Sequence, residues 1–196
     1  MVRTSLLSVL LIASASAFAQ QTPTPEQMAA AMATVMPGNH HRELALLEGR
    51  WTQDITYFMG TRDPIRSRGT ATNRMILGGR FLLSERSSHV DSPSVGSTKV
   101  EAMSIYGFDG RTNEYTMLEL DTMGTYWVSA AGAPAPDKTL LLSGETIDSQ
   151  SRTREIKKYD MVLRVVDTDT YVTEVVFKLP NRPPMKVVET VSRRIR

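Results

Sequence analysis

Trp51-Thr52-Gln53-Asp54-Ile55-Thr56-Tyr57-Phe58-Met59 alternates: Trp51, Gln53, Ile55, Tyr57 and Met59 fall on one side of an extended chain, and Thr52, Asp54 and Thr56 on the other. Successive side chains of a strand point to opposite faces, so this two-residue period predicts a strand buried along its odd positions. Runs rich in Val, Ile, Thr, Tyr and Met recur at about 68–77, 80–88, 98–106, 114–121, 124–130, 139–145, 155–165, 170–178 and 185–195. Turn residues separate them, among them Gly78-Gly79, Asp109-Gly110 and Asp167 to Asp169. The connections are too short for crossover helices, so neighbouring strands should pair antiparallel. The fold class is therefore mainly β: about ten strands in a single antiparallel up-and-down β-barrel, with a sandwich as the other arrangement of such a pattern. In the last run Val187, Val191 and Ile195 alternate with Lys186, Thr190, Ser192 and Arg194, which puts Glu189 and Arg193 on the apolar face.

Upstream of Trp51 the periodicity becomes helical. Thr24-Pro25-Glu26 offers a capping side chain, a proline at the first helical position and an acid in the first turn. Met28, Ala31, Met32, Val35 and Met36 then form one apolar stripe, expected to dock on the barrel, until Pro37-Gly38 ends the helix. A second, shorter helix is predicted over His40 to Glu48, with Leu44 and Leu47 facing one way. Before both helices, Arg3, an apolar run from Leu6 to Leu11 and Ala17-Phe18-Ala19 ahead of Gln20 read as a secretory signal. Residues 1–19 are thus expected to be a cleaved leader, residues 20–38 a linker and amphipathic helix, and residues 39–196 the barrel domain. Export to the periplasm or the extracellular medium follows, with cleavage near Ala19/Gln20. The apolar run is too short to span a bilayer, which takes roughly 20 residues, so stable membrane insertion is not expected.

The formal net charge of +2 gives no electrostatic footprint for nucleic acid, so none is expected as a partner. There is no cysteine, which excludes disulfides, thiolate chemistry and a cysteine-linked lipid anchor. Of the three histidines, His40 and His41 are adjacent and would point about 100° apart on a helix, so they cannot share one ion; His89 stands alone near Asp91. No metal and no cofactor is expected. No nucleophile elbow, phosphate-binding glycine loop or His-Glu-x-x-His stands in the sequence, so no catalytic residue is assigned.

The Gly49-Arg50-Trp51 step, the hairpin Arg74-Met75-Ile76-Leu77-Gly78-Gly79-Arg80-Phe81-Leu82 and the closing Val187-Val188-Glu189 to Arg193 strand resemble domain of unknown function family 1579 over about residues 36–196. That resemblance implies a calycin-like barrel, related to lipocalins and fatty-acid-binding proteins, with a habit of binding small molecules. It also implies that a basic residue of the last strand packs over Trp51, a part for which Arg193 is the candidate. The chain departs from the family at Leu118-Glu119-Leu120, where members often carry a tryptophan.

The candidate ligand-binding residues are Trp51, Tyr57, Met59, Met75, Glu189, Val191 and Arg193. Glu189 is the most informative, because a carboxylate on an apolar face must find a partner or shift its pKa upward. Arg80, Arg193 or a tyrosine is a possible partner, and a bulge turning Glu189 outward is the alternative. Three functions fit the sequence: a barrel binding a small apolar or amphipathic molecule, a lumen enzyme using Glu189 in acid–base chemistry, and an interaction module without a ligand.

Overall fold

The computed structural model describes residues 22–58, 63–92, 96–137, 139–148, 153–180 and 182–196. Residues 1–19, read above as a leader, and Met59 lie outside them. Two helices, α1 (Pro25–Val35) and α2 (Asn39–Ala45), precede ten strands. These are β1 (Gly49–Tyr57), β2 (Ile65–Ile76), β3 (Phe81–Ser92), β4 (Gly96–Asp109), β5 (Glu114–Asp121), β6 (Trp127–Gly132), β7 (Leu140–Ile147), β8 (Ile156–Asp167), β9 (Thr170–Lys178) and β10 (Met185–Arg194). Each strand pairs antiparallel with the next, and β10 returns to β1 with Trp51 opposite Arg194. The barrel is closed, so the ladder has no free edge on which another chain could add.

The β2–β3 hairpin sets the register of that half of the barrel. Ile76 closes against Phe81, and Leu77, Gly78 and Gly79 take φ of +50°, +67° and +79°. Glycines at two of the three positions remove most of the cost of a left-handed turn. The loop therefore spans residues 77–80, two residues longer than the Gly78-Gly79 turn read from the sequence, and it places Met75 beside Leu82.

The phase of β1 is as its alternation predicts: Trp51, Gln53 and Ile55 are buried and Tyr57 is half-buried. The phase of β10 is not. A bulge between Lys186 and Val188 shifts the strand by one residue, so Val188, Thr190 and Ser192 oppose Tyr57, Ile55 and Gln53 and point inward. Glu189, Val191 and Arg193 consequently face outward. A single extra residue reverses every side chain beyond it, which is why Val187, Val191 and Ile195 mislead as an apolar row.

One end of the barrel is closed by α2. Its Leu44 and the following Leu47 are buried among Trp51, Leu82 and Tyr171, and the Leu47 carbonyl accepts hydrogen bonds from Trp51 Nε1 and Asn73 Nδ2, both 3.0 Å. His41 Nδ1 caps the helix by accepting from the Gly38 amide at 3.0 Å. His40 packs on the Phe108 ring at 4.1 Å and contacts the Tyr115 hydroxyl at 3.0 Å.

The α1 stripe does not dock, in contrast to its expected role. Met28, Met32, Val35 and Met36 are all at least half exposed, and α1 buries no residue. The helix meets the barrel near its end, where the Thr34 carbonyl lies against Gly110 and Arg80 Nη2 reaches Met36 Sδ at 3.6 Å. Leu44 and Leu47, not the α1 stripe, fill the closed end, and Leu46 and Leu77 stay exposed beside them.

Candidate functional site

Arginine, not lysine, suits a stack on tryptophan, because its planar guanidinium lies flat on the ring. Here that residue is Arg194, whose Cζ is 4.1 Å from the Trp51 ring centroid. Arg194 also donates to the carbonyls of Leu46 at 2.9 Å, Glu48 and Thr168 at 3.0 Å, tying the α2–β1 link to the β8–β9 turn. The glycine two residues before Trp51 is needed for this closure: Gly49 has φ +127°, and a Cβ there would stand 2.5 Å from Arg194 Nη1. Arg193, the sequence candidate, instead pairs with Asp54 on the outer face at 2.6 Å. Trp51 and Met75 belong to the closed half, where Trp51 is a structural plug and Met75 packs at the core's margin.

The open half holds a cavity of about 190 Å³. Its charged lining is confined to β3 and β5, which supply Arg86, Glu119 and Asp121, with Ser88 and Tyr57 beside them. Across the barrel, β8, β9 and β10 supply Met161, Val175 and Val188, with the hydroxyls of Thr173 and Thr190. The lumen is thus amphipathic from one wall to the other. Met123, in the β5–β6 connection, reaches the mouth. A second void of about 10 Å³, close to the size of one water, lies below, between Asn73, Arg86 and Tyr171.

Arg86 and Glu119 form an ion pair inside the barrel, Nη2 to Oε2 2.6 Å. Ser104, fully buried between them, accepts from Arg86 Nη2 at 3.0 Å and donates to Glu119 Oε2 at 2.7 Å. Burial opposes the charge on Arg86, but Glu119, with Tyr106 and Tyr171 adding to it, outweighs burial and holds the guanidinium above its ordinary pKa. The pair is a fixed dipole set into the lumen wall. Arg86 Nε is buried and has no protein partner.

The tyrosines around this core stay protonated. Burial pushes the Tyr106 and Tyr159 hydroxyls up to about 12, with Glu119 adding to both effects, and burial also raises Tyr57 and Tyr115. A group whose folded pKa lies above its unfolded value contributes stability that is present below the unfolded pKa, about 10 for tyrosine, and lost as pH rises through the folded one. Stability is therefore expected to fall above about pH 10. In a spectrophotometric titration at 295 nm these four of the six tyrosines should ionise late, in step with unfolding. Six tyrosines ionising together at the ordinary value would contradict the placement.

Of the sequence candidates, Tyr57 lines the cavity. Glu189, Val191 and Arg193 lie outside it, so in the alternative enzyme reading Glu189 would have no lumen to act in. Glu189 bonds to Lys186, which also reaches Glu174 at 3.1 Å, and these hydrogen bonds lower its pKa where an upward shift was expected. Sequence reasoning missed Arg86, Glu119 and Asp121, and for Arg86 a signal existed. With Met75 taken as inward and the hairpin pairing it to Leu82, two-residue steps along β3 reach Ser84, Arg86 and Ser88.

A protein-family profile described as protein of unknown function (DUF1579) matches residues 36–194, which takes in α2 and all ten strands. The chain belongs to this family. No curated protein matches it. Among solved structures, the DUF1579 chain is similar to the S-type phycobiliprotein lyase CPES from Guillardia theta, with a TM-score of 0.51 and 7% identity, over 81% of this chain and 94% of that one. At that identity the likeness is one of fold alone.

Proposed function

We propose that this DUF1579 protein is exported and binds a small amphipathic molecule in the open half of its barrel. The observation that carries this reading is the cavity of about 190 Å³, with charge on β3 and β5 and methyl-bearing side chains facing it. Barrel mouths are favoured ligand sites, and a few convergent polar groups in an apolar pocket orient what enters. An engineered cavity of about 150 Å³ accepts benzene. A single ring with a short polar arm therefore suits this one. The likeness to a phycobiliprotein lyase supports the reading at the level of the barrel. Near-neutral charge argues against nucleic acid, and no described helix is long and apolar enough to cross a membrane.

Export rests on the leader-like residues 1–19, and amino-terminal sequencing of protein from outside the cytoplasm should begin at Gln20; an intact Met1 there would overturn it. Binding is tested by ¹⁹F NMR titration of 4-fluorobenzyl alcohol, a neutral one-ring amphiphile. A Kd on the order of 0.1–1 mM is expected for a ligand of this size. Val188→Trp should fill the cavity and abolish saturation, whereas Val191→Trp, on the outer face of the same strand, should bind like the parent. Absence of saturable binding by the parent, or unchanged binding by Val188→Trp, would mean the cavity is not the site.

A further inference from the structure

The geometry points to a ligand whose polar arm is a protonated amine, held at the cavity mouth by Asp121 and Glu119. This deepens the proposed function and rests on it. The cavity's charged lining is one guanidinium and two carboxylates, and the guanidinium's charge is already paired with Glu119: Arg86 Nη2 bonds to Glu119 Oε2 and Ser104 Oγ, while the unbonded Nε is buried. Asp121 is therefore left over. Its Oδ1 accepts from the Met123 amide at 2.8 Å, and among the described residues no cation forms an ion pair with it. The tyrosines of the lining, Tyr57 and Tyr106, have raised hydroxyl pKa values and are neutral at pH 7, so they do not alter the count.

Glu119 and Asp121 are two residues apart on one strand and share its inward face, roughly 7 Å apart along β5. A compact ammonium with three diverging donors can hydrogen-bond both carboxylates, while a carboxylate or phosphate would meet Asp121 unscreened. The apolar body of such a ligand would lie toward Met161, Val175 and Val188. A small amine with one ring or a short alkyl body meets both walls at once. An anionic amphiphile such as a fatty acid meets only the apolar one.

Three probes of similar shape separate the charge from the fit: 2-phenylethylamine, 2-phenylethanol and phenylacetate, positive, neutral and negative at pH 7. Isothermal titration of the full mature chain should give the amine about fivefold tighter binding than the alcohol, with phenylacetate weakest. In Asp121→Asn the amine's advantage should shrink to within about twofold, with the alcohol's affinity unchanged. Asp121 is exposed at the rim, so this variant keeps the fold; Glu119→Gln, which also disturbs the Arg86 pair, is the second variant and should halve the advantage or more. If the alcohol binds and the amine shows no preference over it, or if the preference survives in both variants, the amine assignment is wrong and the cavity reading stands. If none of the three binds, both are overturned.

Discussion

Trp51→Ala is expected to lower the unfolding free energy by about 3–5 kcal/mol, the usual cost of truncating a large buried aromatic. Trp51 is 1% exposed and holds three kinds of contact at once: its indole N–H bonds to the Leu47 carbonyl at 3.0 Å, Tyr171 meets it edge-on at 4.7 Å between centroids, and Arg194 covers it at 4.1 Å. Losing the ring would leave a hole beneath α2 and free the arginine that ties three backbone carbonyls together. Domains of this size are stable by only about 5–15 kcal/mol, so the variant should unfold at a much lower denaturant concentration. An unchanged midpoint with an unchanged slope would contradict its place as the plug of the closed end.

Arg86→Met is expected to cost about 3 kcal/mol at pH 7. Removing one partner of a buried ion pair typically costs about 3–5 kcal/mol, because the remaining charge stays desolvated. The lower figure applies because both side chains border the cavity and remain about a quarter exposed. The double variant distinguishes this mechanism from simple loss of packing. The double variant Arg86→Met/Glu119→Leu should recover much of the loss, since replacing both partners removes the orphaned charge. A double variant no more stable than Arg86→Met, measured by urea unfolding at pH 7, would count against the pair.

Most of the barrel was legible in the sequence because its signals are local. A two-residue period, turn residues at the hairpins and short connections determine strand count and antiparallel pairing, and all ten runs from Trp51 onward are strands; closure through β1 and β10, which a sandwich would lack, is a long-range pairing. The functional half was harder to see, for reasons specific to each strand. On β10 the bulge between Lys186 and Val188 left a regular apolar row in the sequence that the pairing does not follow. On β5 the apolar residues Leu118 and Leu120 face outward while Glu119 and Asp121 face the lumen, the reverse of what hydrophobic alternation alone implies. On β3, Ser84, Arg86 and Ser88 alternate with Glu85 and Ser87, so both faces are polar and neither announces itself. Register, passed from Met75 across the hairpin, identifies the inward row. A ligand site inside a barrel weakens the amphipathic signal that locates barrel interiors, because its lining must itself be partly polar.

The most direct test is methyl NMR of the chain from Gln20 onward, labelled with ¹³C at its methionine methyl groups and titrated with 2-phenylethanol. Methionines report from every region: Met161 and Met123 line the cavity, Met103 lies on the outer face of β4, and Met28 and Met32 lie on α1. Saturable shifts at Met161 and Met123, with Met28, Met32 and Met103 unmoved, are expected if the open half of the barrel is the binding site. Shifts confined to the α1 methionines or Met103, with Met161 unchanged at saturation, would place binding on the surface and contradict a ligand-holding lumen.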